Sequence, residues 1–228
     1  MYGKHAVLAA LANSRRLISN VFCTKDNYIE HKIINNFKHE IVDNSFLNKI
    51  LGPGHNHQGI AAKVKEIFLN NIDELDLNED ECKVAILDQI TDPQNIGSII
   101  RSAAAFNIKA IIMPYDNSPS ECAGLAKTAS GTLELVKIVR VVNLKQTIDS
   151  LKKKGFWIIG LAGEASEEIN KKLLGGKIAI ILGSEDKGMR RLTKESCDYL
   201  VKIPITKEVE SLNVSNAAAI VFSLSYQS

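Results

Sequence analysis

Three polar turns carry the residue types able to do chemistry in this 228-residue chain. They are Asp92-Pro93-Gln94-Asn95-Ile96-Gly97, Gly183-Ser184-Glu185-Asp186-Lys187-Gly188 and Glu210-Ser211-Leu212-Asn213-Val214-Ser215. Each follows a short apolar run, so each reads as the loop just beyond the end of a strand. In an open α/β sheet, ligands bind outside the carboxyl ends of the strands, and three such turns therefore predict one shared site. All five histidines (His5, His31, His39, His55, His57) lie at or before position 57. Acid–base work at the predicted site must rest on Asn, Arg, Glu, Ser and backbone groups rather than on imidazole.

The elements that must position these turns are legible from the apolar pattern. Runs at Val84-Leu87, Ala110-Met113, Trp157-Leu161, Ile178-Leu182 and Leu200-Ile203 alternate with helical segments near Gly97-Phe106, Leu144-Lys154, Leu192-Asp198 and Leu212-Tyr226. Buried runs alternating with amphipathic helices predict an α/β fold with a mostly parallel sheet covered on both faces. Ahead of it, a helical pattern over Tyr2-Leu17 and strand-like pieces at Asn20-Cys23 and Gly59-Val64 predict a small α/β unit. The acidic stretch from Asp73 to Glu81 has the composition of a linker or a solvated helix. The expected division is residues 1–75, a linker at 76–82, and a second domain at 83–228.

Composition narrows the function. Hydrophobic residues make up 45% of the chain, enough for a real core. The longest apolar runs are far too short to span a bilayer, and Lys4, His5, Arg15 and Arg16 stand where a signal sequence would be apolar, so a cytoplasmic protein without a membrane partner is expected. Cys23, Cys82, Cys122 and Cys197 are isolated from one another, which suggests buried, reduced thiols and neither a zinc site nor a disulfide framework. A net charge of +2 argues against wrapping nucleic acid by bulk charge but leaves room for a local basic face. No GxGxxG follows the first strand of the larger part and no GxxxxGK[ST] occurs, so neither a dinucleotide fold nor a P-loop is supported.

The stretch from Leu87-Asp88 through Asp92-Pro93-Gln94-Asn95-Ile96-Gly97 to Arg101-Ser102-Ala103 resembles the first motif of the SpoU, or SPOUT-class, RNA 2′-O-methyltransferases of the TrmH family. Ile181-Leu182-Gly183-Ser184-Glu185 with Gly188-Met189 resembles the second, and Ile203-Pro204 through Ser211-Leu212-Asn213-Val214-Ser215 the third. Val139-Leu144, Trp157-Gly160 with Ala162-Ala165, and Gly188-Thr193 are similar to the branch that methylates a guanosine ribose in large-subunit ribosomal RNA. Tyr2-Val7 and His57-Ile60 resemble that branch's substrate-binding domain.

The resemblance implies methyl transfer from S-adenosylmethionine to a ribose 2′-hydroxyl without a metal, a C-terminal trefoil knot, and a homodimer. It places Asn95, Arg101, Glu185, Ser211 and Asn213 at the reaction centre, and Ala162, Gly163, Gly183, Ile203 and Leu212 around the cofactor. The resemblance makes Arg101 the family's base; a guanidinium holds its proton tightly and is better suited to binding phosphate or orienting the hydroxyl. Ser211 fits either a catalytic role or the N-cap of the last helix, with Asn213 in its first turn. Glu185 is read as a builder of the site. Ile203 and Leu212 fit an adenine sandwich or core packing. Lys4, His5, Arg15, Arg16 and His57 are candidates for RNA phosphate contact. The chain departs from the family pattern at Asp186, Lys207, Asn216, Ile205 and Leu161. Asp186 and Lys207 put the loop geometry in question, which keeps two alternatives open: a transfer RNA methyltransferase, and a non-catalytic RNA-binding protein of the same fold.

Overall fold

The computed structural model describes residues 1–52 and 54–226. Along the chain the elements are α1 (Lys4–Ala12), β1 (Ile18–Cys23), α2 (Lys25–Glu30), β2 (His39–Ile41), α3 (Asn44–Leu51) and β3 (Ile60–Val64). There follow β4 (Cys82–Asp88), α4 (Pro93–Ala105), β5 (Ala110–Pro114), α5 (Ala123–Thr128), β6 (Lys137–Val141) and α6 (Leu144–Lys153). The chain closes with β7 (Trp157–Leu161), β8 (Glu167–Glu168), β9 (Lys177–Gly183), α7 (Arg191–Glu195), β10 (Tyr199–Lys202) and α8 (Val214–Ser225).

Contacts divide these residues into two compact units, Met1–Ile67 with Glu121–Leu135, and Phe68–Ser120 with Val136–Ser228. This differs from the continuous division at 76–82 in two ways. Residues 121–135 belong with the first unit, although the chain reaches them from β5 of the second. The acidic stretch is also no free linker, because Ile72, Leu75, Leu77 and Cys82 are buried in the second unit's core. Asn71 and Glu74 form a capping box around the single helical turn that starts there. The charged residues between these apolar anchors dominate the composition and hide them.

The first unit holds a three-stranded sheet in the order β2-β1-β3, with β1 parallel to β2 and antiparallel to β3. Val7 and Leu11 of α1 pack on Val21, Ile60 and Ala62 of that sheet. The helix stops at Ala12, short of the expected Leu17, because Asn13 turns into extended backbone. Gly131, at φ 89°, lets the 121–135 segment approach α1, since a Cβ there would lie 3.0 Å from the His5 carbonyl oxygen.

An ion cluster fastens that segment. The Arg16 side chain is fully buried; its Nη1 donates to both Glu121 oxygens at 2.8 Å and to the Lys65 carbonyl at 2.8 Å. Its Nη2 donates to Glu134 Oε1 at 2.5 Å, and Asn13 Nδ2 donates to Glu134 Oε2 at 2.6 Å. Burial opposes the Arg16 charge, but the hydrogen bonds to Glu134 and Glu121 outweigh it, and the net effect raises its pKa.

The second unit is a seven-stranded sheet, all parallel, in the order β6-β5-β4-β9-β7-β10-β8. The central pair β4 and β9 is aligned residue for residue from Cys82↔Lys177 to Asp88↔Gly183. One face carries Val84, Ile86, Ala179 and Ile181 against Leu144, Ile148 and Leu151 of α6. α4 and α8 pack against each other, and α8 also lies on β9. The expected strands and helices are present, with β6 and β8 in addition. In β6 a Lys and an Arg interrupt the apolar run, and β8 is two exposed glutamates, so neither shows as an apolar strand.

The cysteines are free. Cys23 and Cys82 are buried, whereas Cys122 and Cys197 are only partly so, a departure from four buried thiols. Burial pushes the Cys197 thiol from its ordinary 9.0 to about 11. Folding therefore favours its neutral form. That contribution is complete below pH 9 and fades as the pH rises through 11.

Candidate functional site

Because every strand of the second unit runs the same way, the turns after β4, β7, β9 and β10 emerge at one edge of the sheet. There the chain encloses a cavity of about 430 Å³. Its wall contains all five positions assigned to the cofactor: Ala162 and Gly163 after β7, Gly183 at the end of β9, Ile203 after β10, and Leu212 before α8. Glu185, Asp186 and Ser211 also face it. A Cβ added to Gly163 would meet no protein atom within 4 Å, so the backbone there is open to a ligand.

Beside the cavity three of the predicted reaction-centre residues form one hydrogen-bonded chain. Asn213 Nδ2 donates to Glu185 Oε1 at 2.6 Å and to Asn95 Oδ1 at 3.0 Å. The same Glu185 oxygen accepts from Val214 N at 3.1 Å. Asn95 is held in the first turn of α4, whose N-cap Asp92 accepts from Gln94 N at 2.9 Å with Pro93 at the first helical position. That cap starts α4 four residues earlier than Gly97, where the apolar pattern begins.

Asn213, rather than Ser211, is the N-cap of α8, and its Oδ1 accepts from Ser215 N at 3.0 Å. Both residues are good capping types. Here Glu185 and Asn213 satisfy the Val214 and Ser215 N–H groups, so the helix begins at Val214. Ser211 and Leu212 precede the helix, and the Ser211 hydroxyl makes no hydrogen bond among the described residues. Arg101 lies on the exposed side of α4 and bonds to none of the other four.

The loop that carries Glu185 is fastened where it ends, at Gly188 and Arg190. Asp88, fully buried at the end of β4, accepts from Arg190 N at 2.8 Å and Arg190 Nε at 2.7 Å. Gln89, in left-handed backbone at φ 63°, donates to the Gly188 carbonyl at 3.1 Å. Gly183 is obligatory, since a Cβ there would lie 2.3 Å from the Gly188 carbonyl carbon. Asp186 adopts no left-handed backbone, so its Cβ is accommodated without strain. Lys207 is exposed and outside the cavity wall. Sequence reasoning quoted Asp88 and Arg190 but gave them no role. The available signal was a carboxylate ending an otherwise apolar strand, which demands a partner once buried.

At the rim Lys194 donates to Glu164, and this bond holds the Glu164 carboxyl below its usual range. Among the described residues no group of His, Cys, Asp and Glu is arranged to hold a metal ion. No helix of the described residues is long and apolar enough to cross a membrane.

In the first unit several proposed phosphate contacts are already committed. Arg16 is spent on Glu121 and Glu134, and His57 is buried against Asn48 Oδ1 and Gly59 N. Lys4 pairs with Glu30 at 2.6 Å, and Arg15 donates to the Glu134 carbonyl. His5 is exposed. Charge alone in the sequence did not distinguish a surface arginine from one neutralised in the interior.

Residues 83–223 match the family model described as SpoU rRNA Methylase family, and residues 1–69 match RNA 2′-O ribose methyltransferase substrate binding. The chain is 38% identical over 231 residues to the 23S rRNA (guanosine-2′-O-)-methyltransferase RlmB of Photobacterium profundum, covering 96% of this chain and 94% of the other. The Vibrio cholerae protein of that name is 43% identical over 170 residues, covering 73% and 69%. Among solved structures, the SpoU methyltransferase AviRb from Streptomyces viridochromogenes in complex with the cofactor AdoMet superposes with a TM-score of 0.83 at 20% identity, covering 99% of this chain and 88% of that one. With a family model spanning most of the chain and a relative of this identity along nearly its full length, the chain belongs to the SpoU rRNA methylase family.

Proposed function

We propose that this protein transfers a methyl group from S-adenosylmethionine to the ribose 2′-hydroxyl of a guanosine in large-subunit ribosomal RNA. The observation that carries the reading is the cavity of about 430 Å³, walled by the turns after β7, β9 and β10 and set beside the Asn95–Asn213–Glu185 chain. Its volume lies in the range of cofactor sites, about 300–1,000 Å³, and its backbone-rich wall suits a ligand that combines an adenine with a charged amino-acid tail. The matching relatives carry the corresponding activity in their names.

When bound, S-adenosylmethionine supplies a methyl group activated by its sulfonium. The residues of this chain have to align the ribose oxygen with it and take up the proton that the hydroxyl loses. Alignment of that kind contributes up to about 7–11 kcal/mol in well-oriented systems. Asn95 Oδ1 is engaged by Asn213, which leaves the Asn95 amide N–H groups to orient the ribose. The Glu185 carboxylate fixes Asn213 and the start of α8. Arg101, exposed and charged, binds the phosphate next to the target. Ile203 and Leu212 flank the adenine, and the backbone at Ala162, Gly163 and Gly183 meets its polar edge.

The reading extends to a cytoplasmic homodimer, to a trefoil knot formed by the C-terminal segment, and to RNA recognition by the first unit. Methyl transfer from labelled S-adenosylmethionine to unmodified ribosomal and transfer RNA tests it. Label in 2′-O-methylguanosine of large-subunit RNA is the expected result. Label in transfer RNA alone would move the substrate, and a folded protein that labels neither would overturn the enzyme.

A further inference from the structure

A second surface at the carboxyl edge of the parallel sheet presents an exposed aromatic ring. The hydrogen-bond ladder between β5 and β6 runs one step past the strands, with Tyr115 N donating to the Val141 carbonyl at 2.8 Å. The pairs Met113↔Arg140 and Pro114↔Val141 fix the register, and the two-residue period then places Tyr115, Arg140 and Val142 on one face. The Arg140 guanidinium stacks 4.0 Å from the centre of the Tyr115 ring, and its Nη2 donates to the Tyr115 carbonyl at 3.1 Å. Tyr115 is nonetheless 52% exposed and Val142 91% exposed. A rigid aromatic ring and an uncovered aliphatic side chain stand in solvent, with the partly buried Arg140 guanidinium stacked on the ring.

This trio stands at the same edge of the sheet as the proposed reaction centre. β5 is the direct neighbour of β4, whose end leads into Asn95, and strands in a sheet are about 4.8 Å apart. A nucleotide strand whose target ribose sits at Asn95 therefore has its flanking bases within reach of the end of β5.

We propose that Tyr115 and Arg140, with Val142 beside them, are a stacking subsite for an unpaired nucleobase flanking the methylated nucleotide. The inference rests on the RNA-methyltransferase reading. Bases of single-stranded loops are recognised by stacking on aromatic rings and on guanidinium planes, and the Arg–Tyr pair presents both in a preformed arrangement. Stacking tolerates any base, so the subsite adds affinity for an unpaired strand and leaves the identity of the target guanosine to other contacts.

The test is filter binding of large-subunit ribosomal RNA lacking ribose methylation to the full chain, without methyl donor. The Tyr115→Ala variant is expected to weaken binding about tenfold. Tyr115→Phe and Tyr115→Trp, which keep a ring, are expected to bind as the wild type does, and S-adenosylmethionine affinity is unchanged in all three. Wild-type RNA affinity in Tyr115→Ala overturns the proposal. Equal losses in the Ala and Trp variants overturn it too, because they mark a packing role rather than a stacking one. A wild-type protein that binds RNA with this Tyr115 dependence but methylates none would sink the enzyme reading while supporting the subsite, so the two failures are separable.

Discussion

Two polar clusters, one in each unit, use similar groups for opposite ends. Around Arg16 a guanidinium with no exposed side-chain surface meets Glu121 and Glu134 at 6% and 3% side-chain exposure, and each of its nitrogens donates to a carboxylate. Around Asn213 the partners Asn95 and Glu185 stand at the surface, beside a cavity, with hydrogen-bonding capacity to spare. Buried charge must be satisfied internally, so the first cluster has no group left over for a ligand. A polar cluster does chemistry only where it remains incomplete.

The strongest way to break this comparison is to make the first cluster incomplete. Arg16→Ala leaves two carboxylates facing each other in the interior of the first unit, and loss of one partner of a buried pair costs about 3–5 kcal/mol. Urea unfolding should show a loss of that size. A change below about 1 kcal/mol would mean that water reaches the cluster, and the contrast with the second would fail.

Gly183→Ala attacks the frame of the second cluster instead. The new methyl would lie 2.3 Å from the Gly188 carbonyl carbon and 2.4 Å from Met189 N, backbone atoms that Asp88, Gln89 and Arg190 hold in place. Overpacking of this kind costs about 1–3 kcal/mol. Calorimetry should show S-adenosylmethionine binding lost in a protein that still folds, because the displaced loop is a cavity wall. Retained binding at wild-type strength would show that the loop geometry is not needed for the cofactor.

Asn213→Ala tests the incomplete cluster itself. It removes an N-cap, worth about 1 kcal/mol, together with the bonds to Glu185 and Asn95. Methyl transfer is expected to fall by orders of magnitude for that small loss in melting temperature. Replacement by Ser or Asp should restore the cap, and with it most of the stability, without restoring activity. Recovered activity in the Ser variant would reduce Asn213 to a cap.

The contrast also marks what the sequence could and could not convey. Asn95, Glu185 and Asn213 were legible because each follows an apolar run, and a parallel sheet brings all such ends to one edge. The five positions of the cavity wall came instead from the family resemblance, since contacts made by backbone leave no residue type to read. Arg16 reads in the sequence as a candidate phosphate contact because its partners lie more than 100 positions away, in a segment entered from the other unit. Asp88 and Arg190 were visible as residues but not as a pair, since only the fold sets the end of β4 against the turn after β9. The start of α8 was misplaced because Ser211 and Asn213 are both capping types. The carboxylate that selects between them, Glu185, comes from a different loop.

Arg101 offers the sharpest contrast with Arg16. Both are guanidiniums on helical or helix-flanking backbone, but Arg101 is exposed and makes no hydrogen bond or ion pair among the described residues. Arg101→Ala should change stability by no more than about 0.5 kcal/mol, as exposed substitutions away from caps and cores do. S-adenosylmethionine binding should also be unchanged, while methyl transfer is lost. Arg101→Lys then separates the two roles open to the side chain. A lysine keeps the charge that attracts a phosphate but lacks the planar fork. If Arg101 binds the phosphate, Lys should recover much of the activity, and the loss in Ala should appear chiefly as weaker RNA saturation. If Arg101 takes the ribose proton, the Lys variant should show a rate that climbs with pH as the amine loses its proton, with RNA saturation unaltered. A pH-independent Lys variant with restored RNA affinity would assign Arg101 to the phosphate and leave the proton to another acceptor, for which the Glu185 carboxylate is the nearest charged group already bonded into the Asn95–Asn213 chain.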